Sequence, residues 1–155
     1  MRLSGFLDVR RNARFAVSLG VLVASGAAGT VQACERAEFE AVVTDAANAL
    51  RDLNQRNKPP YQARLKDLKD RRGWSHDQFL KEAAPLVQDA KISEYDEQSS
   101  TLLEKIQTMG AEGASTSQPQ CASLAALQVV MKALVDVQTE KWTYMFSKIE
   151  QELKR

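Results

Sequence analysis

The chain has 155 residues, with 21 basic and 20 acidic side chains for a net charge of +1, one His, two Cys, 44% hydrophobic and 26% charged residues. This ordinary balance excludes a disordered or collagen-like chain, and +1 is too little for a nucleic-acid binder that works by neutralising phosphates. Two cysteines are too few for a disulfide-dense miniprotein or an all-cysteine zinc site.

Residues 1–14 carry Arg2, Arg10, Arg11 and Arg14 against Asp8 alone, and residues 15–29 carry no charge and are rich in Val, Leu, Ala and Gly. That is the layout of a signal peptide: a positive head, a short apolar stretch and a small-residue tail. The apolar stretch is short and Gly-interrupted compared with the roughly 20 residues a spanning helix needs. The tail ends Val31-Gln32-Ala33, which places cleavage before Cys34. Asn12-Ala13-Arg14 follows the Arg10-Arg11 pair where a twin-arginine leader would turn hydrophobic, so general secretion is expected. The expected organisation is a leader over residues 1–33 and one helical domain over residues 34–155, exported to the periplasm or secreted. Removing four arginines and one aspartate leaves 17 basic and 19 acidic residues, a net −2.

In an oxidising compartment Cys34 and Cys121 are expected to pair. In the chain-entropy account a loop of this length contributes roughly 4 to 5 kcal/mol, less any strain. A rival reading makes Val31-Gln32-Ala33-Cys34 a lipoprotein box with Cys34 acylated; Gln32 fits its second position poorly, and Cys121 would be left alone. There is no Cys-x-x-Cys pair of the redox-enzyme kind.

From Phe39 the apolar positions Val42, Val43, Ala46, Leu50 and Leu53 follow a 3.6-residue period, predicting a helix over about 35–57. Pro59-Pro60 is expected to stop it, because each proline lacks a donor and restricts the residue before it. A shorter helix with Tyr61, Leu65 and Leu68 on one side should end at Gly73. Ser75 and Gln78 form a capping box, with Trp74 and Phe79 placed as a hydrophobic staple, so a helix starts at His76. Pro85 should kink or break it. The stripe Ile92, Tyr95, Ser99, Leu102, Ile106 and Met109 predicts a further helix, with Ser93 and Asp96 as a capping pair, and residues 110–120 read as a loop rich in Gly, Ala, Ser and Thr. The last helix, about 118–154, carries Leu124, Leu127, Met131, Leu134, Met145, Ile149 and Leu153. No alternating strand pattern competes.

A Cys34–Cys121 bridge joins the N-terminal ends of the first and last helices, which makes them parallel neighbours and forbids a plain up-down-up-down bundle. The fold class is therefore all-α: a small bundle of three long helices with a short helical crossover hairpin and one disulfide, in five helical segments.

His76 is the lone imidazole and sits in the first turn of a helix. The residue sets for zinc, covalent haem and Cys–His or Ser–His–Asp catalysis are missing or reduced to isolated members, and there is no glycine-rich phosphate loop. No catalytic, metal or cofactor residues are assigned, and no enzyme activity is expected. Residues 55–72 hold seven bases against two acids, while residues 89–112 hold six acids against two bases. Arg64, Lys66, Lys69, Arg71 and Arg72 form a candidate patch for an anionic partner, such as a lipid surface, a polyanionic glycan or an acidic protein; equally, a basic helix beside an acidic one is an ordinary solvated surface. Trp74, Tyr61 and Trp142 are candidates for an aromatic contact surface or for core. The sequence thus leads to an exported, non-catalytic helical protein that interacts with another macromolecule in the cell envelope, with no nucleic-acid partner and no transmembrane segment after cleavage. The alternative is a small-molecule carrier using a cavity in the bundle. Intact mass spectrometry of the exported protein should give a chain starting at Cys34 and lacking two hydrogens; a mass that retains residues 1–33 overturns the leader, and an added acyl group overturns the disulfide.

Overall fold

Residues 34–116 and 120–155 are described by a computed structural model; the expected leader lies outside them. Among the described residues the secondary structure is four helices: α1 (Arg36–Arg72), α2 (His76–Val87), α3 (Ala90–Ser115) and α4 (Cys121–Lys154). Three are long and α2 is short, as the all-α bundle requires.

α1 starts with the Glu35 N–H donating to the Glu38 carboxylate at 2.8 Å. It then continues without interruption through Pro59 and Pro60 to Arg72, so the first two predicted helices are one element of 37 residues, about 55 Å along the helix. The prolines orphan the carbonyls four residues back, at Gln55 and Arg56. Both residues and both prolines are exposed, so water can take those carbonyls. Continuity across the break comes from the other face, where Leu53, Tyr61 and Leu68 are buried. Tertiary packing thus overrides a local stop signal.

Gly73 ends α1 in the left-handed region, φ 65°, with its N–H on the Asp70 carbonyl and the Trp74 N–H on the Lys69 carbonyl. This paired arrangement satisfies the last carbonyls and needs glycine's freedom at positive φ. The expected capping box opens α2: the Ser75 hydroxyl accepts from Gln78 N–H at 3.2 Å, and the Gln78 side chain accepts from Ser75 N–H at 2.9 Å. α2 accommodates Pro85 and ends two residues later. The new start belongs to Asp89, whose carboxylate accepts from Ile92 N–H at 2.8 Å, and not to Ser93 and Asp96. α3 also continues through Gly110 and Gly113 to Ser115, so most of the expected loop is helix. The five expected segments are therefore four helices, and the crossover is α2 alone.

The disulfide Cys34–Cys121 is present, with the two Cα atoms 4.9 Å apart and 87 residues between them. It sets a register that persists up the bundle: Trp142 Nε1–H donates to Asn54 Oδ1 at a separation of 88, and the Arg72 guanidinium donates to the Glu152 carbonyl at a separation of 80. A nearly constant offset is the mark of parallel helices, as the cysteine argument required. α3 instead pairs with α4 at separations that shrink from 59 at Asp89–Lys148 to 45 at Asp96–Lys141 and 39 at Ser99–Gln138. Each residue forward on α3 is one residue back on α4, which makes the two antiparallel. α4 is thus the central element, packing against α1, α2 and α3. By length and composition it is apolar enough to cross a membrane; here Leu124, Leu127, Val130, Met131, Leu134, Met145 and Ile149 are buried among its neighbours.

The core has two parts of unequal strength. At the α2 end Tyr61, Leu68, Leu86, Ile92, Met145 and Ile149 form a buried cluster, with Trp74, Trp142 and Phe146 packed against it. Trp142 and Phe146 both meet the Tyr61 ring edge-on, at centroid distances of 5.8 and 5.4 Å. At the disulfide end Ala46, Leu127 and Met131 form a smaller buried cluster, with Phe39, Val42, Ile106 and Met109 partly buried against it. Because Ile149 is fully buried, Ile149→Ala should cost about 2 to 5 kcal/mol, read from the shift of the urea or guanidinium unfolding midpoint; a loss under about 0.5 kcal/mol, the range of surface changes, would contradict the placement of the main core.

Candidate functional site

The five basic residues singled out from the sequence do not present one open patch. Arg64 and Arg72 reach the seam with α4, where Arg64 pairs with Glu150 and Arg72 with the Glu152 carboxylate at 3.6 Å. Lys66 pairs with Asp70 at 2.7 Å and Arg71 with Asp67 at 2.9 Å, both along α1. Lys69 lies over the Phe79 ring, 5.7 Å from its centroid. Hydrogen bonding and charge between Lys66 and Asp70 raise the pKa of the lysine and lower that of the aspartate. Exposed pairs of this kind add little to stability, but they offset the charge the sequence displays. His76 is exposed at the start of α2. Of the three aromatic candidates, Tyr61 is core, while Trp74 and Trp142 are half-buried against it.

A polar network at the α2–α3 junction accounts for the strongest electrostatics. The Asp89 carboxylate caps α3 and also accepts from the Tyr144 hydroxyl at 2.9 Å and from the Lys148 ammonium, which donates to the Pro85 carbonyl as well. The lysine, the Ile92 N–H and the tyrosine together hold the Asp89 pKa down at about 2. Nearby the Tyr61 hydroxyl donates to the Leu86 carbonyl at 2.6 Å, and burial pushes its pKa up to about 12. Both groups fasten α2: one ties its last turn to α1, the other ties the residues that follow it to α4. Their arrangement is structural, since every polar atom in it is spent on the junction.

The feature available to a ligand lies at the opposite end. A groove of about 500 Å³ runs between the first turns of α1 and the last turns of α3, with Leu127 of α4 lining its base. Phe39, Val43 and Thr44 form one wall, and Gly110 and Gly113 the other. The groove exists because the second wall lacks side chains. A Cβ at Gly113 would touch the Phe39 ring at 3.7 Å, whereas one at Gly110 would meet nothing within 4 Å. Val43 remains 43% exposed, and Arg36 and Glu40 stand on the rim. A second hollow of about 410 Å³, lined by Met109, Gly113, Thr116 and Ala126, lies between α3 and the start of α4. None of the groove residues was singled out from the sequence as functional. Val43 looked like an extra member of the α1 stripe, and Gly110 and Gly113 were read as loop. The available signal was that Gly113 extends the 3–4 spacing of the α3 stripe beyond Met109.

Comparison with known proteins finds no match: no family model, no curated protein and no solved structure is significantly similar to the chain.

The Asp89 network carries a pH signature. Its folded pKa is depressed, so its stabilisation is present above the ordinary carboxylate range and is lost as pH falls from near 4 toward 2. The wild-type melting temperature, followed by circular dichroism, should fall across that interval, and Asp89→Asn should lower it at neutral pH while flattening the acid dependence. Parallel acid curves for the two proteins would contradict this.

Proposed function

We propose that the protein is an exported, non-catalytic helical protein of the cell envelope that binds another macromolecule through the groove at its disulfide end. The observation that carries this reading is the groove itself: a largely apolar hollow of about 500 Å³, lined by Phe39, Val43 and Leu127 among others. Two facing helices that leave a trough of this kind suit an apolar segment laid along them. Export is supported by the arginine-led apolar stretch of residues 1–33 and by the disulfide, which belongs to an oxidising compartment. The small-molecule carrier is the second reading, because the groove volume also falls within the range of small-ligand sites.

A photo-crosslinking residue at Val43, with one at the more exposed Val129 of α4, outside the groove lining, as control, separates the two in cells that export the chain. A discrete macromolecular adduct at Val43 that is absent at Val129 and lost with Phe39→Asp is the expected outcome. A small-molecule adduct supports the carrier, and identical patterns at both positions remove the groove as a site.

A further inference from the structure

We propose that the protein carries a thiol-sensitive hinge: reduction of the Cys34–Cys121 disulfide lets the part of α1 before Pro59-Pro60 swing away from α4, dismantling the groove, while the α2 end stays folded. This step stands apart from the identity of any groove ligand. The proline pair divides α1 between the two parts of the core. Phe39, Val42 and Ala46 precede it and pack in the cluster with Leu127 and Met131. Tyr61, Leu65 and Leu68 follow it and pack in the cluster with Ile92, Met145 and Ile149. The two parts of the helix are held unequally. Ala46 and Leu53 remain 8% exposed, against 3% for Tyr61 and 1% for Leu68. Polar contacts of α1 with other helices occur at Asn54, Tyr61, Arg64 and Arg72, and the last three lie beyond the prolines.

The hinge is built into the backbone. Because Pro59 and Pro60 have no N–H, the carbonyls of Gln55 and Arg56 lack partners inside the helix, and a helix bends most easily where such bonds are missing. Release is a thiol–disulfide exchange. Cys34 and Cys121 are only half-buried, which leaves them open to a dissolved dithiol. A thiolate of the dithiol attacks one of the two sulfurs, forming a mixed disulfide and expelling the other as a thiolate that takes a proton. The second thiol of the reductant then closes its own disulfide and frees the first cysteine, so the protein gains two electrons and two protons that the dithiol loses. Without the tether, residues 36–56 rest on the smaller cluster. Once off α4 they fray, because most helical stability in proteins comes from tertiary packing. The groove goes with them, since Phe39, Val43 and Thr44 form one of its walls.

Deuterium exchange of the purified, disulfide-bonded protein, read by peptide mass spectrometry with and without dithiothreitol, tests this. The quantity measured is the exchange rate of amides in residues 36–53 relative to those in residues 61–72. On reduction this ratio should rise roughly tenfold or more, because the first segment opens without the second, while circular dichroism shows that most helix is retained. Re-oxidation should restore it, and Cys34→Ser with Cys121→Ser should reproduce the reduced pattern with no reductant present. Pro59→Ala with Pro60→Ala returns two N–H donors to the helix, and in the reduced protein it should lower the ratio roughly threefold. Equal acceleration of both segments, or loss of all helix on reduction, overturns the proposal by showing that the bundle opens as one unit. No change in the ratio on reduction overturns it as well, since packing would then hold the segment without the tether. A ratio that the two alanines leave unaltered removes the prolines as the hinge and with them the proposed device.

Discussion

The covalent link between Cys34 and Cys121 is the constraint from which the arrangement of the long helices follows. It pins the starts of α1 and α4 side by side, so the two must run parallel, and a chain that runs parallel to its own beginning has to return in between. α3 supplies the return. In the entropic account the link acts by shrinking the unfolded ensemble, and its effect is large because the loop it closes is most of the domain. The Trp142–Asn54 and Arg64–Glu150 contacts then keep the register that the disulfide starts.

The link also explains why the bundle can be loosely packed at that end. Where Leu68, Ile92 and Ile149 interlock, burial and the polar contacts around it hold the helices without a covalent link, and the aromatic edges of Trp142 and Phe146 close the layer around Tyr61. At the disulfide end the buried cluster is only Ala46, Leu127 and Met131, and two glycines thin the facing wall. A covalent tether takes over the work of packing there, which leaves apolar surface open at that end. Rigid core at one end and an open groove at the other are thus two consequences of one division of labour.

Charge is also redistributed in space. The sequence displays its strongest basic run in residues 55–72, yet Arg64, Lys66, Arg71 and Arg72 of that run are paired, through Glu150, Asp70, Asp67 and Glu152. The acids of the first turns of α1 attract less attention in a linear reading, because they are few and interspersed with Ala and Val. In space Glu35 and Glu38 are engaged in the capping box that opens α1, and Glu40 faces the groove together with Arg36.

What the sequence determined by itself was local or covalent in origin. Helical periodicity placed the stripes, Ser75 with Gln78 marked the start of α2, Gly73 marked the end of α1, and the two cysteines dictated parallel first and last helices. The elements misread were those where a local rule met a tertiary contact. Pro59-Pro60 did not stop α1, because Leu53, Tyr61 and Leu68 hold the helix on α4 while the freed carbonyls face water. Gly110 and Gly113 did not end α3, because Ile106, Met109 and Gly113 continue its contact with the disulfide end. The groove could not be read from the chain at all: it is the space left when α1 and α3, more than sixty residues apart in sequence at Phe39 and Gly113, are brought together over Leu127.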